Sequence, residues 1–339
     1  MIHAFLTNPS FALYNTDEAS DSRSKTAEFR GTIYTLGGRV KRFIFPAGLL
    51  TAVFVVCSAI GSPRQAANSN AGDPILVGAG DMVDCPDYSG AEATAKLLDK
   101  IPGTVFTLGD NVYEDGTAKA YRECYTPTWG RHKARTRPAT GNHDYHTAGA
   151  KPYFDYFGSA AGDPKTGDYS YDLGTWHIVV LNSECKQVGG CQAGSPQEIW
   201  LKQDLLARPA ACTLAYWHKP LFSSGFSHGN NPEMKAFWQD LYAVHAALIL
   251  NGHDHDYERL APQDPDGKPD PAHGIREFVV GTGGKSHRGF GWIDSTSEIR
   301  NGDTYGVLKL TLHAKSYDWE FIPEAGRSFH DSGSGACPQ

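Results

Sequence analysis

From residue 74 onward the chain alternates short apolar runs with amphipathic or turn-rich stretches. Residues 74–80 (PILVGAG) and 104–109 (TVFTLG) are short and apolar, and the segment 137–141 (RPATG) ends likewise at Asn142-His143. Between them, residues 88–100 space Ala and Leu at a helical period, and residues 117–131 predict a helix with an aromatic face. This alternation of strand, loop and helix predicts a βαβ sheet and an α/β fold. Residues 168–183 predict a hairpin around Gly174. Residues 195–208 (SPQEIWLKQDLLAR) predict a capped helix, with Ser195 as cap, Pro196 first and Glu198 three residues on. Further on, the pattern predicts strands at 213–217, 247–250 and 277–280, a helix at 232–244, and a closing hairpin from 306–311 and 316–322. Residues 263–273 (QDPDGKPDPAH) read as a loop, and no internal repeat is present.

The first 71 residues have a different character. Arg39, Lys41 and Arg42 precede an apolar run over 43–60, followed by Gly61, Ser62, Pro63, Arg64, Ala66 and Ala67. A basic stretch, an apolar core and small residues read as a secretory signal. Pro46 and the lack of a basic stop-transfer favour cleavage near residues 66–71; an anchor retained at 43–60, or a buried helix, is the alternative. Cys57 follows Val55-Val56, a poor lipobox. The 38 residues before Arg39 are unusual for a signal, and Val40 is a candidate alternative start. We therefore expect an N-terminal extension and signal peptide or anchor over 1–71, and a catalytic domain over 72–339. The product is expected to be secreted or extracytoplasmic, without a stable membrane span in its mature form.

Composition narrows the class. Charged residues are 20% and hydrophobic residues 40% of the 339, which excludes a disordered chain. Abundant Gly, Pro and aromatics argue against a helical bundle. The net charge is −7, so nucleic acid is not expected as a dedicated partner. Setting Cys57 aside leaves Cys85, Cys124, Cys185, Cys191, Cys212 and Cys337, an even set that reads as disulfides in an exported chain. The spacing favours Cys185–Cys191, where Gly189-Gly190 eases a small loop. Cys85–Cys124 would then tie two loops that follow strands, and Cys212–Cys337 would pin the C-terminal tail. No Cys-x-x-Cys pair supports zinc binding by these thiols.

The chemistry gathers where apolar runs stop. Asp81, Asp110, Asn142-His143, His218 and His253-x-His255 each follow such a run. Strand carboxyl ends are where ligands collect in α/β sheets, and carboxylate, carbonyl and imidazole donors suit Fe, Zn or Mn. In sequence the blocks are Gly80-Asp81, Gly109-Asp110-Asn111-Val112-Tyr113, Gly141-Asn142-His143-Asp144, Ala215-Tyr216-Trp217-His218 and Gly252-His253-Asp254-His255. This ordered set resembles the calcineurin-like metallophosphoesterases and, within them, the purple acid phosphatases. The continuation Asp256-Tyr257-Glu258-Arg259 resembles the plant-type enzymes. There are departures: Asp81-Met82-Val83 lacks the usual Gly or His after the first Asp, Asp144 replaces a common Glu, and Ala215 stands where Val is usual. From the length after residue 71, the additional β-sandwich domain of the plant enzymes is not expected in this sequence.

The resemblance implies a four-layer α/β/β/α sandwich with two mixed β-sheets. It implies two metal ions, Fe(III) plus Fe, Zn or Mn. Asp81, Asp110, Tyr113 and His255 would hold the first, with Asp110 bridging; Asn142, His218 and His253 would hold the second. The expected reaction is hydrolysis of a small phosphate monoester by attack of a metal-bound hydroxide. His143 would face the phosphoryl group, and His228 would give the leaving oxygen its proton. Asp144 and Asp256 are candidates to orient ligand histidines. Arg259 reads as the partner of an internal carboxylate, the 281–287 loop with Lys285 and His287 as a rim, and His177 as a hydrogen-bonded core residue. The alternatives are a phosphodiesterase or nucleotidase on the same core, or a non-catalytic binding protein with a degenerate site.

Overall fold

Strands built from the apolar runs assemble into two mixed sheets. The computed structural model describes residues 72–85 and 87–339; the expected signal or anchor segment and the residue 71 boundary lie outside them. Among the described residues no helix is long and apolar enough to cross a membrane. In the first sheet the spatial order is Asp331–Ala336, Ser316–Pro323, Gly306–Leu312, Ile75–Ala79, Thr104–Leu108, Thr136–Ala139. The last three strands are parallel and the others antiparallel. In the second sheet the order is Ser297–Asn301, Tyr257–Leu260, Arg276–Val280, Leu248–Asn251, Cys212–Tyr216, Trp176–Val180, Tyr169–Leu173. Four central parallel strands are flanked by antiparallel ones.

Side-chain alternation explains the layering. Ile178, Val180, Leu214, Tyr216, Leu248 and Leu250 face inward and pack with Leu76, Phe106, Leu108 and Leu310 of the first sheet. Their neighbours Val179, Ala215, Trp217 and Ile249 face outward into a second core. Helices Pro196–Ala207 and Lys235–Ala243 cover that outer face with Leu201, Leu205, Phe237, Trp238 and Leu241. On the other side, helix Ser89–Leu98 lays Ala91, Ala95 and Leu98 against the first sheet. The arrangement is the expected four-layer sandwich. Ser195 caps the Pro196 helix by accepting from the Glu198 amide at 3.3 Å.

One predicted element breaks. Residues 117–131 form a short helical turn at Ala118–Ala120, a π turn at Tyr121–Tyr125 and a 3-10 segment at Trp129–Arg135. Pro127 cannot continue a helix, and the hydroxyls of Thr126 and Thr128 donate to the carbonyls of Tyr121 and Cys124. The aromatic face survives, with Tyr121 stacked on Tyr156 at 5.0 Å. Among the described residues three disulfides form, Cys85–Cys124, Cys185–Cys191 and Cys212–Cys337, the expected pairs.

Candidate metal centre

The parallel strands of both sheets end at one edge, and the donor-bearing turns meet there. Asp81, Asp110 and Asn142 follow three adjacent strands of the first sheet; His218 and His253 follow two adjacent strands of the second. Cross-links hold these turns together. The His218 Nδ1 lies 2.7 Å from the Leu108 carbonyl, the Gly80 amide donates to Val280, and the Gly252 amide donates to His218. Asp81, Asp110 and His253 sit at φ of 60°, 48° and 73°, three of the five non-glycine residues of positive φ among the described residues. Backbone in that region costs free energy, and its concentration at one edge is a functional signature.

The donor atoms form two groups that share one oxygen. In the first, the Tyr113 hydroxyl lies 2.8 Å from Asp81 Oδ1, 3.0 Å from Asp110 Oδ2 and 3.2 Å from His255 Nε2. In the second, His218 Nε2 lies 3.3 Å from the same Asp110 Oδ2, 3.1 Å from Asn142 Oδ1 and 3.1 Å from His253 Nδ1. Asp110, His218 and His253 alone bring three ligand atoms within 4.8 Å of one another. The remaining carboxylate oxygens are tied back: Asp81 Oδ2 accepts from the His253 amide and Asp110 Oδ1 from the His143 amide, each at 2.8 Å.

These contacts test whether cations fit. Most of the inward atoms are hydrogen-bond acceptors, and the Tyr113 hydroxyl has one proton for three of them. His218 presents Nε2 inward because Nδ1 is occupied by a backbone carbonyl; His255 is oriented likewise by Ser286 Oγ at 2.7 Å from its Nδ1. A surplus of buried lone pairs facing each other suits a positive ion. Burial opposes a charged His218, yet Asp110 lifts it to about 9. Burial would raise Asp110, but His218 overrides that and holds it below the usual carboxylate range. Tyr113 is pushed well above its ordinary value by burial and then by Asp110 and Asp81. His253 is pushed well below, by burial first and then by His218 and His228.

The glycines of the motifs leave room for the carboxylates. A Cβ on Gly141 would lie 2.2 Å from Asp110 Oδ1, and one on Gly252 would lie 2.6 Å from Asp81 Oδ2. The open side of the site is formed by Asn142, His143 and His228, which are more accessible than the other donors. His143 Nε2 is 3.9 Å from Asp110 Oδ2, with Nδ1 2.6 Å from the Glu114 carbonyl. The His228 ring stacks on His253 at 3.9 Å.

Asp144 and Asp256 depart from expectation, since neither orients a histidine. Asp144 accepts from Asn111, the Gly141 amide and Tyr121, bracing the third turn, and burial with the Asp110 charge pushes it up to about 6. The Asp256 carboxylate is buried with neither oxygen hydrogen-bonded, while its backbone amide donates to the Asp254 carbonyl and its carbonyl accepts from the Gly281 amide. The residue that the pattern missed is Asp254, which accepts from Ser223 Oγ and from the amides of His228 and Gly229. Its place between two candidate ligands was the available signal. Arg259 pairs with Asp331, Lys285 with Asp84 and Glu114, and buried His177 with Asp172 and Asp204.

The calcineurin-like phosphoesterase family model matches residues 65–257. Purple acid phosphatase 15 of Arabidopsis thaliana is 26% identical over 208 residues, 51% of this chain and 38% of that protein. The chain therefore spans well under half of the length of that relative. Among solved structures, purple acid phosphatase PPD1 from yellow lupin seeds aligns with a TM-score of 0.63 and 19% identity, covering 78% of this chain and 54% of that one. GAP50, described as the anchor in the inner membrane complex of Plasmodium, aligns with a TM-score of 0.61 and 14% identity, covering 79% and 90%. Both likenesses are of fold.

Proposed function

We propose, from the premise that the chain belongs to the calcineurin-like phosphoesterase family, that it is an exported dinuclear-metal phosphatase acting on phosphate monoesters. Fold alone does not carry this reading, since the Plasmodium anchor shares it. The observation that carries it is the single oxygen, Asp110 Oδ2, common to two buried donor groups. Asp81, Asp110, Tyr113 and His255 would hold Fe(III). Asp110, Asn142, His218 and His253 would hold Fe, Zn or Mn. Cations there would lower the pKa of water to a mild value and neutralise phosphoryl oxygens.

The chain's own groups do the rest. The His143 amide fixes the shared carboxylate, and the His143 ring stands at the open side to donate to a phosphoryl oxygen. His228, stacked on His253, would give the leaving oxygen its proton. Asp254 holds the backbone of His228 in position. The three disulfides support an oxidising compartment and hence export. Residues 72–339 would be the catalytic unit. The test is turnover of 4-nitrophenyl phosphate against bis(4-nitrophenyl) phosphate by the metal-loaded protein and by Asp110→Asn. Faster monoester turnover, lost in the variant, is expected. Faster diester turnover would make the chain a phosphodiesterase, and no turnover of either would overturn the hydrolase reading.

A further inference from the structure

Two loops that carry no candidate ligand, 223–229 and 287–293, meet at the open side of the metal centre. Gly225 and Phe290 form an antiparallel bridge; the Phe226 amide donates to Gly289 at 3.0 Å and the Gly291 amide to Ser224 at 2.8 Å. Each loop is also tethered to the turn that bears His253 and His255. The His228 and Gly229 amides donate to Asp254, and the Arg288 amide donates to the His255 carbonyl at 3.0 Å. The loops are thus held in register with the donors. Arg288 Nη1 lies 3.0 Å from His228 Nε2. Among the described residues Arg288 has no carboxylate at ion-pair distance, whereas Lys285 on the same rim has two.

The same pair of loops exposes apolar rings. Phe226 is 77% and Trp292 90% exposed, while Trp129, Trp176, Trp217 and Trp238 are fully buried. Ile293 lies beside Trp292, 40% exposed. Exposed large aromatics clustered on one rim mark a recognition surface rather than chance. Phe226 lies two residues before His228, whose ring stacks on the candidate ligand His253 at 3.9 Å, so the loop that bears it borders the path of a group leaving the phosphoryl centre. Stacking on aromatic faces is how proteins hold planar rings.

We infer that loops 223–229 and 287–293 form a leaving-group subsite for phosphate esters whose alcohol carries a planar ring, with Phe226 and Trp292 stacking on the ring and Arg288 facing its polar edge. This rests on the hydrolase reading above. The test compares kcat/KM for adenosine 5′-monophosphate and ribose 5-phosphate, in which the leaving oxygen is the same primary 5-hydroxyl of ribose and only the first carries a base. The nucleotide should be preferred by about tenfold or more, the range that base stacking on aromatic side chains contributes, and in Phe226→Ala/Trp292→Ala the preference should fall to about twofold or less. A second readout needs no turnover: the non-hydrolysable phosphonate analogue of the nucleotide should shield tryptophan fluorescence from acrylamide, and should not in Trp292→Ala. Equal turnover of the two esters by the unaltered protein, with no shielding, would overturn the subsite while leaving the hydrolase reading intact. Failure to hydrolyse either ester, or 4-nitrophenyl phosphate, would overturn the hydrolase reading, and shielding would still decide whether the rings bind.

Discussion

Replacing Gly252 by alanine tests how closely the backbone must approach the candidate ligands. Gly252 is not among the residues of positive φ, so its conformation suits alanine. The obstacle is space: the new methyl would stand 2.6 Å from Asp81 Oδ2, 3.1 Å from the Leu108 carbonyl and 3.4 Å from His218 Nδ1. Asp81 must retreat by about 0.8 Å to restore ordinary contact at 3.4 Å, yet its Oδ2 is fastened to the His253 amide. Overpacking of this size costs roughly 1–3 kcal/mol of stability. A ligand displaced by nearly 1 Å should cost on the order of 100-fold in turnover. Urea denaturation, metal content and turnover, measured on the same preparation, should all fall together. Gly72→Ala, which places a methyl in open space, should alter none of them. Native stability, full metal content and native turnover in Gly252→Ala would refute the argument that the motif glycine is there for close approach.

Two further perturbations separate scaffold from site. Cys212→Ala/Cys337→Ala opens a bridge across 125 residues of sequence and should cost roughly 2–4 kcal/mol in a denaturant melt. Cys212 begins the strand whose far end carries His218, so turnover at low temperature should persist; its loss would contradict that separation. His177 is opposed by burial but raised overall by Asp204 and Asp172, while Asp204 is held below its usual value against burial by His177. A raised folded value means that the imidazolium stabilises fully below the unfolded pKa and fades as pH rises through the folded one. His177→Gln should therefore lose more stability at pH 5 than at pH 8, and an equal loss at both would count against the ion pair.

How far the chain could be read before its structure depended on whether a residue's role was local. Asp81, Asp110, Asn142, His218 and His253 could be found because each ends an apolar run, and strand ends on one edge must converge. Ser195 and Pro196 announced a helix because capping is a four-residue affair. The strand Asp331–Ala336 (DSGSGA) was invisible, since it buries little and is held by its backbone partner Ser316–Pro323 and by Asp331, which accepts from Tyr257, Arg259 and Trp319. Tyr257 and Arg259 thus serve a tail more than 70 residues away. The position of Asp144 beside His143 says nothing about Tyr121, whose hydroxyl donates to it from a π turn where the aromatic pattern predicts regular helix. Arg288 and Ser286 acquire their roles only when the loop after Arg276–Val280 folds over the second sheet's donors.

In the proposed centre two cations would sit between Asp81, Asp110, Tyr113, Asn142, His218, His253 and His255, with the Tyr113 phenolate on one of them. Metal content and the visible spectrum of the purified protein test it together. Two metal ions per chain, including iron, with an absorption band that disappears in Tyr113→Phe, is the predicted result. A protein that binds no metal under any loading condition, and whose Asp110→Asn variant behaves identically, would contradict it.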